Sequence, residues 1–166
     1  MKIIRNALEE NSLVKIQLYL RDNIGAFMWS SSEMLWSKGL KVGVVGSCLS
    51  TEMPLELRDI VNPQLQKILP PCDELVCNFH LWQRGSGIAA HTDSDYKFGA
   101  TLYLNDEWDV NYGGIFIWQP KEESEMKAMI PERNTLVLND QSEVHLVTPI
   151  ASDCPMYRAT VQIWGK

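Results

Sequence analysis

No apolar stretch of the 166-residue chain approaches the ~20 residues that a membrane-spanning helix needs. No basic run is present either. Lys and Arg total 15 against 21 Asp and Glu, a net charge of −6, and an acidic chain of this kind is a poor candidate for a nucleic-acid or anionic-membrane surface. The four cysteines (Cys48, Cys72, Cys77, Cys154) have no zinc-type CxxC spacing, so they read as reduced, mostly buried thiols. The opening Met1-Lys2-Ile3-Ile4-Arg5 runs at once into the polar Glu9-Glu10-Asn11-Ser12, which is not a signal-peptide pattern. Repeats, low-complexity tracts and linkers are all lacking. What remains is 45% hydrophobic and 22% charged, ordinary globular composition over a length that suits one domain. A soluble cytoplasmic protein is expected.

The chain changes character near its middle. Ser12 is placed to cap a helix over residues 13–21, with Leu13, Ile16 and Leu20 on its apolar face. Pro54 suits the first turn of a second helical stretch, expected to break near Pro63 and to end before Pro70-Pro71. Between them, residues 30–46 are rich in Ser, Gly and Trp and read as loop with short strands. From Leu75 onward, β-branched and aromatic runs recur between turn signals: 75–82, 100–104, 115–118, 135–138, 145–148 and 157–164. Asn105-Asp106, residues 111–114, residues 131–134 and Asn139-Asp140 supply the turns. No long helical pattern separates these runs. That excludes a doubly wound parallel sheet and favours an antiparallel sandwich or barrel, mainly β with flanking helices.

Only three histidines are available for chemistry. His91-Thr92-Asp93 sets an imidazole and a carboxylate at i and i+2, on the same side of an extended segment. His145 opens a later strand. Two imidazoles and one carboxylate can occupy one face of an octahedral metal and leave three positions open, the arrangement of non-haem Fe(II) oxygenases. His80, on a strand beside Phe79, reads as structural. On the last strand, period-2 alternation puts Arg158, Thr160, Gln162 and Trp164 on one face and Tyr157, Ala159, Val161 and Ile163 on the other. The second set suits core packing; the first must meet solvent or line a cavity. There the Arg158 fork can hold a carboxylate through two hydrogen bonds, and the Thr160 hydroxyl can add a third. The acidic run Glu122-Glu123-Ser124-Glu125 reads as a solvated loop, Gly113-Gly114 as a turn and Trp118 as a sheet-packing residue.

These blocks, in this order, resemble the Fe(II)- and 2-oxoglutarate-dependent dioxygenases, in particular the prolyl 4-hydroxylase-like group. The residues that carry the likeness are Gly85 to Ala90 leading to His91 and Asp93; Ala100 to Asn105, a strand closing on Tyr-Leu-Asn; Trp108 with Gly113-Gly114; Thr135 to Leu138 before His145-x-Val147-x-Pro149; and Arg158 with Trp164. The resemblance implies a double-stranded β-helix, the jelly-roll or cupin-like core. It implies one oxygenase domain over 1–166, with 1–74 as helical and loop buttress and 75–166 as catalytic core. Residues 30–46 are its candidate lid, with Trp29 and Trp36 tucked into the core as the other reading of that segment. His91, Asp93 and His145 are implied to ligate iron, and Arg158, assisted by Tyr103 and less directly by Thr160, to bind the distal carboxylate of 2-oxoglutarate. Fe(II), 2-oxoglutarate and O2 are the implied cofactor and co-substrates, with ascorbate as a possible accessory reductant. The implied reaction is hydroxylation of an unactivated C–H bond of a peptidyl proline. Free proline or another small amino-acid-like molecule is the alternative substrate; a metal-binding jelly roll without oxygenase activity is the alternative of another class. Two departures stand out. Where many members carry a tyrosine near the metal, this chain reads His80-Leu81-Trp82-Gln83, so Trp82, Gln83 or a residue elsewhere takes that place. Asp93 is present, unlike in the halogenating relatives.

Overall fold

The computed structural model describes residues 1–31 and 44–166. Twelve strands are described: β1 (Lys2–Arg5), β2 (Ser30–Ser31), β3 (Val44–Val45), β4 (Cys48–Glu52), β5 (Leu75–Trp82), β6 (Gly87–His91), β7 (Phe98–Tyr103), β8 (Phe116–Trp118), β9 (Lys127–Met129), β10 (Thr135–Asn139), β11 (His145–Val147) and β12 (Arg158–Gly165). They form a seven-stranded sheet in the order β1-β10-β7-β12-β5-β4-β2 and a five-stranded sheet in the order β3-β6-β11-β8-β9. Every pairing is antiparallel. This is the double-stranded β-helix that the motif order implies. The strand runs expected at 75–82, 135–138 and 157–164 fall on β5, β10 and β12. Of the strands before residue 75, β2 and β3 fall in the 30–46 segment read as loop with short strands, whereas β1 and β4 lie where no strand was expected.

Two helices, α1 (Glu10–Asn23) and α2 (Leu55–Leu65), cover one face of the larger sheet. Alternation along the strands builds two cores. Cys77, Phe79 and Leu81 of β5, Leu102 of β7, Leu136 and Leu138 of β10, and Val161 and Ile163 of β12 pack on Leu13, Ile16 and Leu20 of α1 and Leu57, Val61 and Leu65 of α2. The opposite faces of those strands look into the space between the sheets. There Trp82, Tyr103 and Val137 meet Phe116, Trp118 and Val147 of the smaller sheet. Trp118 is thus buried sheet packing, and the polar face of β12 lines the interior. Tyr157, expected in the core set, precedes β12 and is exposed.

Both helix boundaries differ from expectation for tertiary reasons. Ser12 does not cap α1; it lies inside the helix, and the N-cap is Glu9, whose side chain makes no capping bond. Gln64 of α2 does that work from outside. Its Oε1 accepts from the Glu9 backbone N–H at 2.8 Å, and its Nε2 donates to Ser12 Oγ at 2.8 Å. Pro63 does not break α2, which runs through it to Leu65. A proline this close to a helix end forfeits one backbone bond, and the buried Leu57, Val61 and Leu65 stripe outweighs that loss.

Of the candidate lid at 30–46, residues 32–43, Trp36 among them, lie outside the described residues. Trp29 packs against the helical core and donates its indole N–H to the Ile24 carbonyl at 2.8 Å. Residues 122–125 are exposed, as a solvated loop should be. Cys48, Cys77 and Cys154 are buried, Cys72 is half-buried and all four are free; burial pushes the Cys77 thiol up to about 12. Among the described residues no helix is long and apolar enough to cross a membrane.

Candidate metal centre and anion cradle

The site lies where β6 of the smaller sheet leads out toward β7 of the larger, and where β10 of the larger sheet leads into β11 of the smaller. β6 ends on His91, and β11 begins on His145; antiparallel register sets these two residues side by side. Their rings approach to 4.3 Å between centroids. Asp93 follows β6 by two residues, and its Oδ2 lies 3.6 Å from His145 Nε2. One ligand atom from each of His91, Asp93 and His145 lies within 4.8 Å of the others. A divalent ion bonded at about 2 Å to two imidazole nitrogens and a carboxylate oxygen on one face would draw these donors to about 3 Å of one another, a small movement from this spacing. Three donors of this kind occupy half of an octahedral ion's positions and leave the others for small oxygen ligands.

Neighbouring groups prepare each donor. His145 Nδ1 donates to the Glu143 carbonyl at 3.0 Å, so the lone pair resides on Nε2, the nitrogen beside Asp93. His91 Nδ1 meets the Ala89 carbonyl at 2.9 Å in the same way. Burial lowers the pKa of both imidazoles below 6.5, which keeps them neutral and able to ligate at pH 7. Phe116 stacks on the His145 ring at 5.3 Å. Asn139, at the end of β10, holds the turn before His145: Nδ2 donates to the Glu143 carbonyl at 3.0 Å, and Oδ1 accepts the Glu143 N–H at 2.9 Å. The Asn139-Asp140 turn signal marked the position but not this role. Asn139→Ala should therefore weaken Mn(II) binding by about 10- to 100-fold, the usual effect of losing an outer hydrogen-bond partner of a ligand. Isothermal titration against the wild type checks this.

Across the interior lies a second, cationic cluster. Arg158 opens β12 on its inner face and is 1% exposed. Its Nη2 donates to Tyr103 Oη at 3.4 Å, and its guanidinium carbon stands 5.0 Å from the Tyr103 ring centroid. Among the described residues no carboxylate pairs with it. Arg158 Nε and Thr160 Oγ1 are buried without hydrogen-bond partners, as is Thr135 Oγ1 on β10, one step beyond the Leu136–Leu102 pair. A buried guanidinium without a counter-ion is costly, as are orphaned hydroxyls. This set of donors fits a carboxylate delivered by a ligand. Gly114, at φ +60°, shapes the wall: a Cβ there would stand 3.0 Å from Arg158 Cδ. Gly113-Gly114 thus makes the expected turn and also makes room for the arginine stem. Trp82 pairs in register with Arg158 and lies at this end of the interior. The Gln83 N–H bonds the Ser47 carbonyl at 3.2 Å.

His80 behaves as the structural residue expected. It is buried beside Trp164, and burial, reinforced by the Arg158 charge, lowers its pKa to about 3. Folding then favours the neutral ring, and the unfolded chain binds the extra proton below pH 6.5. Stability should fall as pH drops from 6.5 toward 3, and His80→Asn should flatten that limb. Urea denaturation at pH 7 and 4.5 reads the difference.

The 2OG-Fe(II) oxygenase superfamily model matches residues 77–166, more than half of the chain. The fold is similar to a prolyl-4-hydroxylase from Pseudomonas putida, with a TM-score of 0.73 and 16% identity, covering 99% of this chain and 91% of that one. It is similar to a Trichoplax adhaerens prolyl hydroxylase, solved with a peptide fragment of the hypoxia inducible factor oxygen degradation domain (TM-score 0.75, 17% identity, 99% and 82% covered). It is also similar to SnoN, an alpha ketoglutarate dependent epimerase from nogalamycin biosynthesis (TM-score 0.64, 14% identity, 98% and 75% covered). No curated protein matches the chain in sequence. At these identities the structural likeness concerns the fold, which hosts more than one reaction. With the family model spanning most of both sheets and the His-Asp-His cluster closing on one point, the chain belongs to the 2OG-Fe(II) oxygenase superfamily.

Proposed function

We propose that the chain hydroxylates a peptidyl proline at an unactivated C–H bond. In this reading His91, Asp93 and His145 hold Fe(II), and Arg158, Tyr103 and Thr160 hold the distal carboxylate of 2-oxoglutarate, within one domain over residues 1–166. The observation that carries the site assignment is the buried, uncompensated guanidinium of Arg158 on the interior face that looks toward the three clustered donors. A bare metal-binding module has no use for it. The prolyl substrate is supported by the motif order of residues 75–164 and by the prolyl hydroxylases among the similar folds.

Fe(II) with 2-oxoglutarate supplies, when bound, O2-dependent C–H hydroxylation coupled to decarboxylation of the keto acid to succinate. The residues do the rest. His91 and His145 present unprotonated nitrogens because each donates its other ring N–H to a carbonyl. Asp93 adds the negative charge that favours a divalent ion. Arg158 orients a dicarboxylate by its far end, with Tyr103 Oη beside the guanidinium and the Thr160 hydroxyl free to donate. Trp82, Phe116, Trp118 and Ile150 exclude water from the space between the sheets, which strengthens those contacts.

The test is mass spectrometry of proline-containing peptides incubated with the protein, Fe(II), 2-oxoglutarate and air. Gain of one oxygen on proline, with an equivalent of succinate, is the expected result. Oxygen gained by free proline alone moves the substrate to the small-molecule class. If the metal-loaded protein does not bind 2-oxoglutarate, the assignment of the cradle fails.

A further inference from the structure

We propose that Gly99 is the seat of the Asp93 carboxylate: the absence of a side chain at this one position of β7 is what lets Asp93 reach the metal. This rests on the metal assignment of His91, Asp93 and His145.

Gly99 lies on the inner face of the larger sheet, in the middle of a row that runs Asn139, Gly99, Trp164 across β10, β7 and β12. Its flanking inner-face neighbours in β7 are larger; Thr101 bonds Gln162 and Tyr103 bonds Arg158. The space that a side chain at 99 would fill is occupied by Asp93. A Cβ built on Gly99 would stand 2.4 Å from Asp93 Oδ2, 3.0 Å from its Cγ and 3.3 Å from its Cβ. All three nearest atoms belong to that one side chain, and none belongs to backbone. The closest conflict is therefore with the Asp93 side chain. Asp93 Oδ2 is also the oxygen 3.6 Å from His145 Nε2, so moving it opens the donor cluster.

A glycine inside a central strand is otherwise a liability, because it has no side chain to pack and more chain entropy to lose. Its φ lies outside the left-handed region, so alanine meets no backbone strain there. A methyl at 99 can be accommodated by rotating Asp93 away, at the expense of the metal and not of the fold. Asn139, its partner on β10, holds the loop of His145. One row of the sheet thus sets two of the three ligands, one by bonding a turn and one by leaving room.

The experiment is Mn(II) binding to the apo chain, read by the electron paramagnetic resonance signal of the free ion, together with apo melting temperatures. Gly99→Ala should bind Mn(II) about 10- to 100-fold more weakly than the wild type, the range for displacing a ligand's support. It should melt at the same temperature or higher. A cycle read with Ni(II), which two imidazoles still hold, then tests the contact. Once Asp93→Ala has removed the carboxylate, adding Gly99→Ala should change affinity by less than about twofold, because the contact no longer exists. If Gly99→Ala fails to fold alone, the double variant should fold; failure of both overturns the seat. A Gly99→Ala chain that binds Mn(II) like the wild type, or one that loses as much affinity without Asp93 as with it, also overturns the seat and leaves the metal assignment intact. A wild type that does not bind Mn(II) overturns both.

Discussion

Replacing Arg158 with methionine should leave the apo chain at least as stable as the wild type while removing most of its affinity for 2-oxoglutarate. The two halves of this result have one cause. In the apo protein the guanidinium is buried with only a 3.4 Å hydrogen bond and a ring face for company, and burial lowers its pKa. Deleting such a charge relieves desolvation, and an apolar side chain of similar length keeps the stem beside Gly114. In the proposed complex the same charge would meet the distal carboxylate of 2-oxoglutarate inside the barrel. Truncating one partner of a buried, hydrogen-bonded charge pair costs about 2–5 kcal/mol, or about 30- to 4,000-fold in affinity. Titration calorimetry of the Mn(II)-loaded protein measures the loss, and thermal melts with and without 2-oxoglutarate measure the reversal. Undiminished binding by the methionine variant would remove Arg158 from the cradle.

A comparable loss is expected at the metal. His145→Ala should abolish 2-oxoglutarate turnover and weaken Mn(II) binding by more than the roughly 100-fold upper range for outer partners, since it removes a donor atom itself. The remaining His91 and Asp93 hold Mn(II), an ion with little preference for imidazole, far more weakly than three donors do. Succinate production with excess Fe(II) and calorimetry with Mn(II) read the two effects separately. Full turnover by this variant would dismiss His145 as a ligand. Acid should mimic the lesion reversibly. Both imidazoles have pKa values below 6.5 because burial disfavours their charged forms. Metal affinity should hold at neutral pH and fall only once pH drops beneath that value, as protons take the ligating nitrogens.

The strands were readable because their alternation is local. Residues 75–82 and 157–164 carry a period of two that no helix would satisfy, and turn residues bracket them. The three clustered donors could be singled out for a different reason: few others of their type exist. With three histidines in the chain and one paired to an aspartate at i+2, the choice of donors is short. Arg158 stood out because period-2 alternation put it beside Thr160 on a face that looked too polar for the core.

Other features had no local signal. Asn139 looked like half of a turn, yet it anchors the loop before His145. Gly99 sits in an ordinary strand run, and its value lies in what approaches it from six residues earlier in the chain. Thr135 was read as the first residue of a strand; its orphaned hydroxyl appears only when β10 pairs with β7. The start of α1 misled for the same reason, because Gln64 caps it from another helix.

The amino-acid order by itself determined which segments pleat, which faces are apolar, and which side chains can carry a metal and an anion. These follow from covalent spacing and from the chemistry of single residues. Only the tertiary structure decided that His91 lies beside His145, that Arg158 is enclosed without a counter-charge and that one missing methyl on β7 admits Asp93. Such facts arise from register between strands far apart in the chain, where the positions of several backbones, and not the identity of any one residue, set the distances.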